Sequence, residues 1–298
     1  MAQFRTKKAF TVIEISLFIA ISGFMMVGIV AGTSTSVARQ RYNDAVNSFV
    51  EFLRNVYSEV ENVQNQRTAA LTNEKCTLIS SVSTDAHPGH SNCAIYGKLI
   101  TFGESNDSQT IHVYDVVGEV LKDTDNKNAA EYNKDKLSAD AVLTALGSVK
   151  ADVISIKGGQ GAPALNHYTY TPEWQARIEQ AGAAGTTYKG SILIARSPRS
   201  GTIHTYVNNG KAISASTLFG TASPSTTSPD ILVNYFPPYS PAGSFSNSGT
   251  LDFCIASDDY RAASSHPRNV RILADGNNST AVRLVNADDT TAGGNKCE

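Results

Sequence analysis

Charge is scarce in this sequence. Asp, Glu, Lys and Arg make up 17% of the 298 residues, against about a quarter in an average soluble domain. Ser, Thr, Asn and Gly are plentiful instead, a balance that suits an exported β-rich protein better than a cytosolic enzyme. A basic excess is also lacking, because the net charge is −2. Without residues 1–9, which hold Arg5, Lys7 and Lys8 and no acid, 22 basic groups face 27 acidic ones, a net −5. A mildly acidic chain offers no electrostatic reason to bind nucleic acid strongly.

Motifs of catalysis are missing too. There is no G-x-S-x-G elbow, no phosphate-binding glycine loop and no internal repeat. Nor is there a basic stripe interleaved with aromatics for single-stranded nucleic acid. Serines and aspartates are too common for a Ser-His-Asp combination to carry meaning. His112 and His204 lie in strand-like runs and read as sheet residues, and Asp258-Asp259 reads as a turn. The late cluster Arg261, Arg268, Arg271 and Arg283 is the one candidate DNA contact. Asp123, Asp125 and Glu131 faintly echo a calcium loop, but Lys127 takes a ligand position and Asn128 stands where glycine belongs. Cys76, His87, His90 and Cys93 have the donor types of a zinc site, although exported cysteines pair with each other first. The expectation is a protein that is not an enzyme and carries no cofactor, calcium being the nearest candidate and zinc a weaker one.

Proline is absent before Pro88, and charge is absent from Ala9 to Ala38 except for Glu14. Nothing in this stretch breaks a helix. Phe10 to about Ala31 is overwhelmingly apolar, and about 22 residues at ~1.5 Å each span a ~30 Å hydrocarbon core. Arg5, Lys7 and Lys8 place its start on the cytoplasmic side and the rest of the chain outside, although Arg39 and Arg41 weaken the charge asymmetry. A secretory signal has a shorter apolar core of 7–15 residues and a small-residue cut site. Here the run passes directly into an amphipathic pattern. Val46, Phe49, Leu53, Val56, Val60 and Val63 recur every three or four residues, forming a seam with acids and amides between them. One helix from Phe10 to Arg67 is predicted, about 58 residues and ~87 Å long. Glu14 is the exception in its apolar half. A carboxylate there is costly and a functional candidate by default, and nothing within the segment offers it a partner.

Lys7-Lys8-Ala9-Phe10-Thr11-Val12-Ile13-Glu14 resembles the processing site of type IV prepilins and the related type II secretion pseudopilins. The resemblance covers residues 1–67, as leader, cut site and long helix together. It implies cleavage between Ala9 and Phe10 by a prepilin peptidase, N-methylation of Phe10, and an assembly role for Glu14. That glutamate would meet the N-terminal amine of a neighbouring subunit, a cation supplied only after cleavage and assembly. Gly23 falls where many family members carry a helix-loosening glycine. Two features depart from the pattern: Ala9 replaces the usual Gly before the cut, and the apolar helix lacks a late proline. The implied partners are other pilin subunits in a helical fibre, the inner-membrane assembly machinery, and the membrane itself before assembly.

Past residue 70 the chain turns to short β-branched and aromatic runs between Gly, Asn, Ser, Asp and Pro. Strands are predicted at 94–102, 110–117, 149–157, 191–196, 202–207, 231–236, 251–256, 269–274 and 280–285. Hairpin turns are predicted at 197–201 and 275–279. The last pair loosely resembles the closing hairpin of minor pilins and pseudopilins. Short helices are expected at 139–146, and at 172–181 with Thr171 as N-cap and Gly182 closing it. Residues 221–249 hold five of the ten prolines and read as a surface excursion.

Cys76, Cys93, Cys254 and Cys297 form an even set with three connectivities. Pairing 76–93 and 254–297 is preferred because each pair closes a modest loop within one region.

The expected class is α+β: a long N-terminal helix, transmembrane and then amphipathic, packed on an antiparallel β-rich head. Residues 1–9 are the cytoplasmic leader, 10–70 the helix with its span at 10–31, and 71–298 the exported head. The implied function is a fibre subunit, with the head's size favouring a minor pilin. The alternatives are a type II secretion pseudopilin, a DNA-uptake pilin, or, in another class, a signal-anchored surface enzyme or adhesin.

Overall fold

The computed structural model describes residues 11–62, 93–103, 109–119, 146, 152–154, 168–183, 185–209, 250–257, 268–273, 277–285 and 297. One helix, α1, runs unbroken from Val12 to Glu61. It passes through Gly23, Gly28 and Gly32 without a kink, and nothing lies within 4 Å of where their side chains would project. Its end falls short of the expected Arg67, because Asn62 leaves helical geometry at φ −96° and ψ 81°. The head holds that end: Arg196 donates to the Glu61 carbonyl at 3.4 Å and Glu61 Oε1 accepts from Ser279 N–H at 2.9 Å.

Ten strands make up the head. They are β1 (Cys93–Phe102), β2 (Ile111–Glu119), β3 (Asp152–Ile154), β4 (Tyr168–Tyr170), β5 (Arg177–Gln180), β6 (Gly190–Arg196), β7 (Ile203–Asn209), β8 (Thr250–Ala256), β9 (Arg268–Leu273) and β10 (Val282–Val285) among the described residues. They form two sheets, β3-β2-β1-β6-β7 with β4 also on β2, and β10-β9-β8-β5. Every pairing is antiparallel. The α+β class therefore holds.

The second half of α1 packs on both sheets and joins them into one core. Val46, Phe49, Leu53, Val56 and Val60 are all buried, as the seam predicts, and Tyr42, Ala45, Val50, Phe52 and Tyr57 widen it. A two-residue-wide stripe is what a helix needs when it must meet two sheets rather than one. Phe49 stands edge-on to Phe253 of β8, and Phe52 stacks on Tyr170 of β4 at 4.3 Å.

The predicted helix at 172–181 is not there. Pro172 is extended, a single 3-10 turn covers Glu173–Gln175, and Arg177–Gln180 become β5 against β8. Trp174 and Gln175 sit at φ 54° and 56°, which no α-helix accommodates. Gly182 does end an element, but as a turn at φ 79° that brings Thr187 back to Glu179. Pairing with a buried strand outweighed a helical capping pattern. Residues 280–281 likewise belong to a 3-10 turn, and β10 begins only at Val282. The turn at 197–201 forms as expected: the Ser197 hydroxyl accepts from the N–H groups of Arg199 and Ser200, and Gly201 takes φ 72°. The predicted strand at 231–236 lies outside the described residues, as does the helix at 139–146 apart from Leu146, which is helical and buried.

Candidate functional site

Val12 to Val37 is exposed on every face of α1. The stretch is long and apolar enough to cross a membrane. It could serve as a membrane anchor or as a signal. Five of its six hydroxyls are satisfied within the helix, as a lipid environment demands. Ser16, Ser22, Thr33, Ser34 and Thr35 each donate to the carbonyl three residues back, at 2.9–3.1 Å.

Glu14 does have a partner within its own segment, contrary to the expectation from sequence. Its Oε2 accepts from the Thr11 N–H at 2.9 Å and from the Thr11 hydroxyl at 3.0 Å. Thr11 Oγ1 in turn accepts from Glu14 N–H at 3.3 Å, completing a reciprocal capping box. The T-x-x-E spacing is visible in the sequence and was the available signal. These donors are neutral, so no cation among the described residues balances the carboxylate. Ala9 and Phe10 lie outside the described residues.

Between the span and the head sits Arg41, its guanidinium 5.0 Å from the ring of the half-exposed Trp174. Further along, polar groups tie α1 to the sheets. The Tyr42 hydroxyl donates to the Ile255 carbonyl at 2.8 Å and accepts from Arg268 N–H at 2.5 Å. Tyr57 shares a hydrogen bond of 2.7 Å with Thr205, and burial pushes its phenol up to about 12. Arg54 donates to the Val282 carbonyl at 3.1 Å. An open groove of about 620 Å³ runs beside the helix, lined by Ser48, Glu51, Phe52, Tyr170 and Ser279 among others.

Two close charged contacts buried among the described residues of the head were not anticipated. Arg271 meets Asp252 through two contacts of 2.7 and 3.3 Å, directly across β8 and β9. Arg271 is therefore held inside the sheet rather than offered to DNA, while its described companions Arg268 and Arg283 retain exposure. Lys98 lies 2.5 Å from Asp115 and 2.9 Å from Glu59 of α1, with its ammonium 5.8 Å from the Tyr168 ring.

Cys254 and Cys297 form a disulfide with a Cα separation of 5.4 Å. Cys76 is outside the described residues, and Cys93 opens β1 with its side chain undescribed, so the 76–93 pairing lies beyond them. The same holds for Asp123, Asp125, Glu131, His87, His90, Asp258, Asp259 and Arg261. Among the described residues, no three potential metal ligands come together. His112 stacks on Tyr114 within β2, and His204 pairs opposite Ala195 in β7, both as sheet residues.

No family model matches the chain, and no curated protein and no solved structure is significantly similar to it.

Proposed function

We propose that this chain is a subunit of a type IV pilus-like fibre with a pilin-like fold, anchored in the cytoplasmic membrane before assembly and its head exported. The observation that carries the reading is the division of α1. One continuous helix is bare over Val12–Val37 and apolar to about Ala31, then buried along one face over Tyr42–Val60 in an antiparallel head. A helix exposed all round needs either lipid or sister helices to cover it. A fibre subunit meets both in turn, in storage and then in assembly. Prepilin peptidase would cut between Ala9 and Phe10 and methylate Phe10. Glu14 would then exchange the neutral donors of Thr11 for the new amine of a neighbouring subunit.

Mass spectrometry of the mature N-terminus tests this directly. An N-methylated Phe10 is expected, and an intact leader or a cut near residue 32 would overturn the reading. Glu14→Val should stay in the membrane yet fail to enter fibres, at least tenfold less than wild type on an immunoblot of sheared filaments. Normal incorporation would remove Glu14 from assembly.

A further inference from the structure

Lys98 and Asp115 are opposite each other in the β1–β2 register. They lie on the face of the first sheet that α1 covers, where Ile100, Val113 and Ile194 surround them at full burial. Lys98 is 3% exposed and Asp115 1%. Stability alone gives little reason to place a charged pair there, since a buried ion pair is often no better than two apolar side chains.

The contact itself is unusual. Nζ stands 2.5 Å from Oδ1, closer than an ordinary charge-assisted bond of about 2.7–2.9 Å. Lys98 is the hydrogen-bonding and charge partner of this buried carboxylate. The amine is held against the carboxyl group, and Cγ lies one bond beyond Oδ1. The nitrogen and the carboxyl group it would attack are therefore already neighbours. A second carboxylate, Glu59 Oε2, stands 2.9 Å from the same Nζ, and the Tyr168 hydroxyl approaches Glu59 Oε2 at 3.4 Å.

We propose that Lys98 and Asp115 condense to an intramolecular amide, an isopeptide bond between β1 and β2, with Glu59 as the proton-transferring catalytic residue. The ammonium first passes a proton to the Asp115 carboxylate. The resulting amine attacks Cγ, forming the N–C bond. Glu59 takes a proton from the nitrogen and returns it to the departing hydroxyl. The C–O bond breaks, one water leaves, and Glu59 is again a carboxylate. No oxidant or reductant enters, and a buried ion pair becomes a neutral amide.

Electrostatics prepare the acid partner. Burial, opposed by Lys98 and reinforced by Glu59, raises the Asp115 carboxyl above its usual range. For Lys98, burial favours the free amine, but Asp115 and Glu59 outweigh it and leave the pKa raised. Proton transfer to Asp115 removes one of those two charges. Because Glu59 belongs to α1, the site is complete only after the helix has docked on the sheet, so bond formation comes after folding.

The test is the intact mass of the full-length chain, purified in detergent, reduced and denatured. After accounting for the N-terminus, the chain is expected to be lighter than its sequence by one water. A tryptic digest should yield a branched peptide joining Lys98 to Asp115. Lys98→Arg, which keeps the charge, and Glu59→Gln should both restore the full mass. A wild-type chain of full mass, with Lys98 labelled completely by an amine reagent after denaturation, would overturn the bond. Glu59→Gln that crosslinks as completely as wild type would overturn the role of Glu59.

Discussion

Arg271 and Asp252 show what a single buried side chain holds in place. Each satisfies the other inside the second sheet, both nearly inaccessible. Removing one strands a charge, so Arg271→Met should lower head stability by about 3–5 kcal/mol. Adding Asp252→Leu removes the stranded carboxylate and should recover most of that loss. Urea unfolding followed by fluorescence of the sole tryptophan, Trp174, measures both. Equal losses in the single and double variants would show that the two residues do not act as a pair. Tyr57 gives a second residue-level prediction, in alkali. Its phenol titrates at 10.0 when unfolded and at about 12 in the folded head, chiefly through burial. A folded pKa above the unfolded one means stabilisation complete below pH 10 and lost as pH rises through 12. The loss from this residue should approach about 1.4 kcal/mol per pH unit between those values. Tyr57→Phe should flatten that decline in a urea-midpoint series from pH 8 to 12. An equally steep decline would assign it to other groups.

The elements differ in how plainly the sequence announces them, and α1 is the plainest. Its two halves follow from periodicity alone, an apolar run to about Ala31 and then the seam from Val46 to Val60. They should answer mutation differently. Leu53→Ala opens a cavity in the joint core and should cost about 2–5 kcal/mol of head stability. Val27→Ala, on the bare half, should leave it within about 0.5 kcal/mol. Matching urea midpoints for the two variants would contradict the division. The hairpins β6–β7 and β9–β10 were also legible, because turn residues and alternating strands are local signals. What was illegible depends on partners distant in sequence. Arg177–Gln180 is β5 only because β8 pairs with it, some seventy-five residues later, and its flanking Thr171 and Gly182 imitate helix caps. The Lys98–Asp115–Glu59 cluster needs the β1–β2 register and the docking of α1 at once, and periodicity specifies neither. Glu14 and Thr11 lie three residues apart, so their capping box is a local signal that the sequence carries. Gly97 adds a register constraint of this kind. A side-chain carbon there would collide with the Ile194 carbonyl oxygen, beside the irregularity in the β1–β2 register. Gly97→Ala should therefore force β1 and β6 apart and destabilise the head by about 1–3 kcal/mol, read as a lowered urea midpoint.

At the scale of the whole molecule, α1 lies against both sheets, which also touch directly where Phe102 of β1 stacks on Phe253 of β8. A load applied to the helix therefore passes to each sheet through a different set of contacts. The first sheet meets it through the Lys98–Glu59 contact and the Tyr57–Thr205 hydrogen bond. The second meets it through Tyr42 and Arg54, which bond to backbone carbonyls of β8 and β10. The second sheet has a further restraint, because β8 is tied by Cys254 to Cys297, 43 residues away in sequence. Closing a loop of that size stabilises the folded state by about 3–4 kcal/mol in the chain-entropy model. Reduction, or the pair Cys254→Ser and Cys297→Ser, should lower the urea midpoint of the second sheet. It should leave membrane association intact, because the bare half of α1 is exposed and is not packed on the described residues of the head. Hydrogen exchange read by mass spectrometry separates the two effects. Amides of β8 and β9 should exchange faster in the reduced protein, while those of β1, β2 and β6 keep most of their protection. Uniform loss across both sheets would mean that α1 couples them into one cooperative unit. In that case the Cys254–Cys297 bond would restrain the whole head rather than the sheet that carries it.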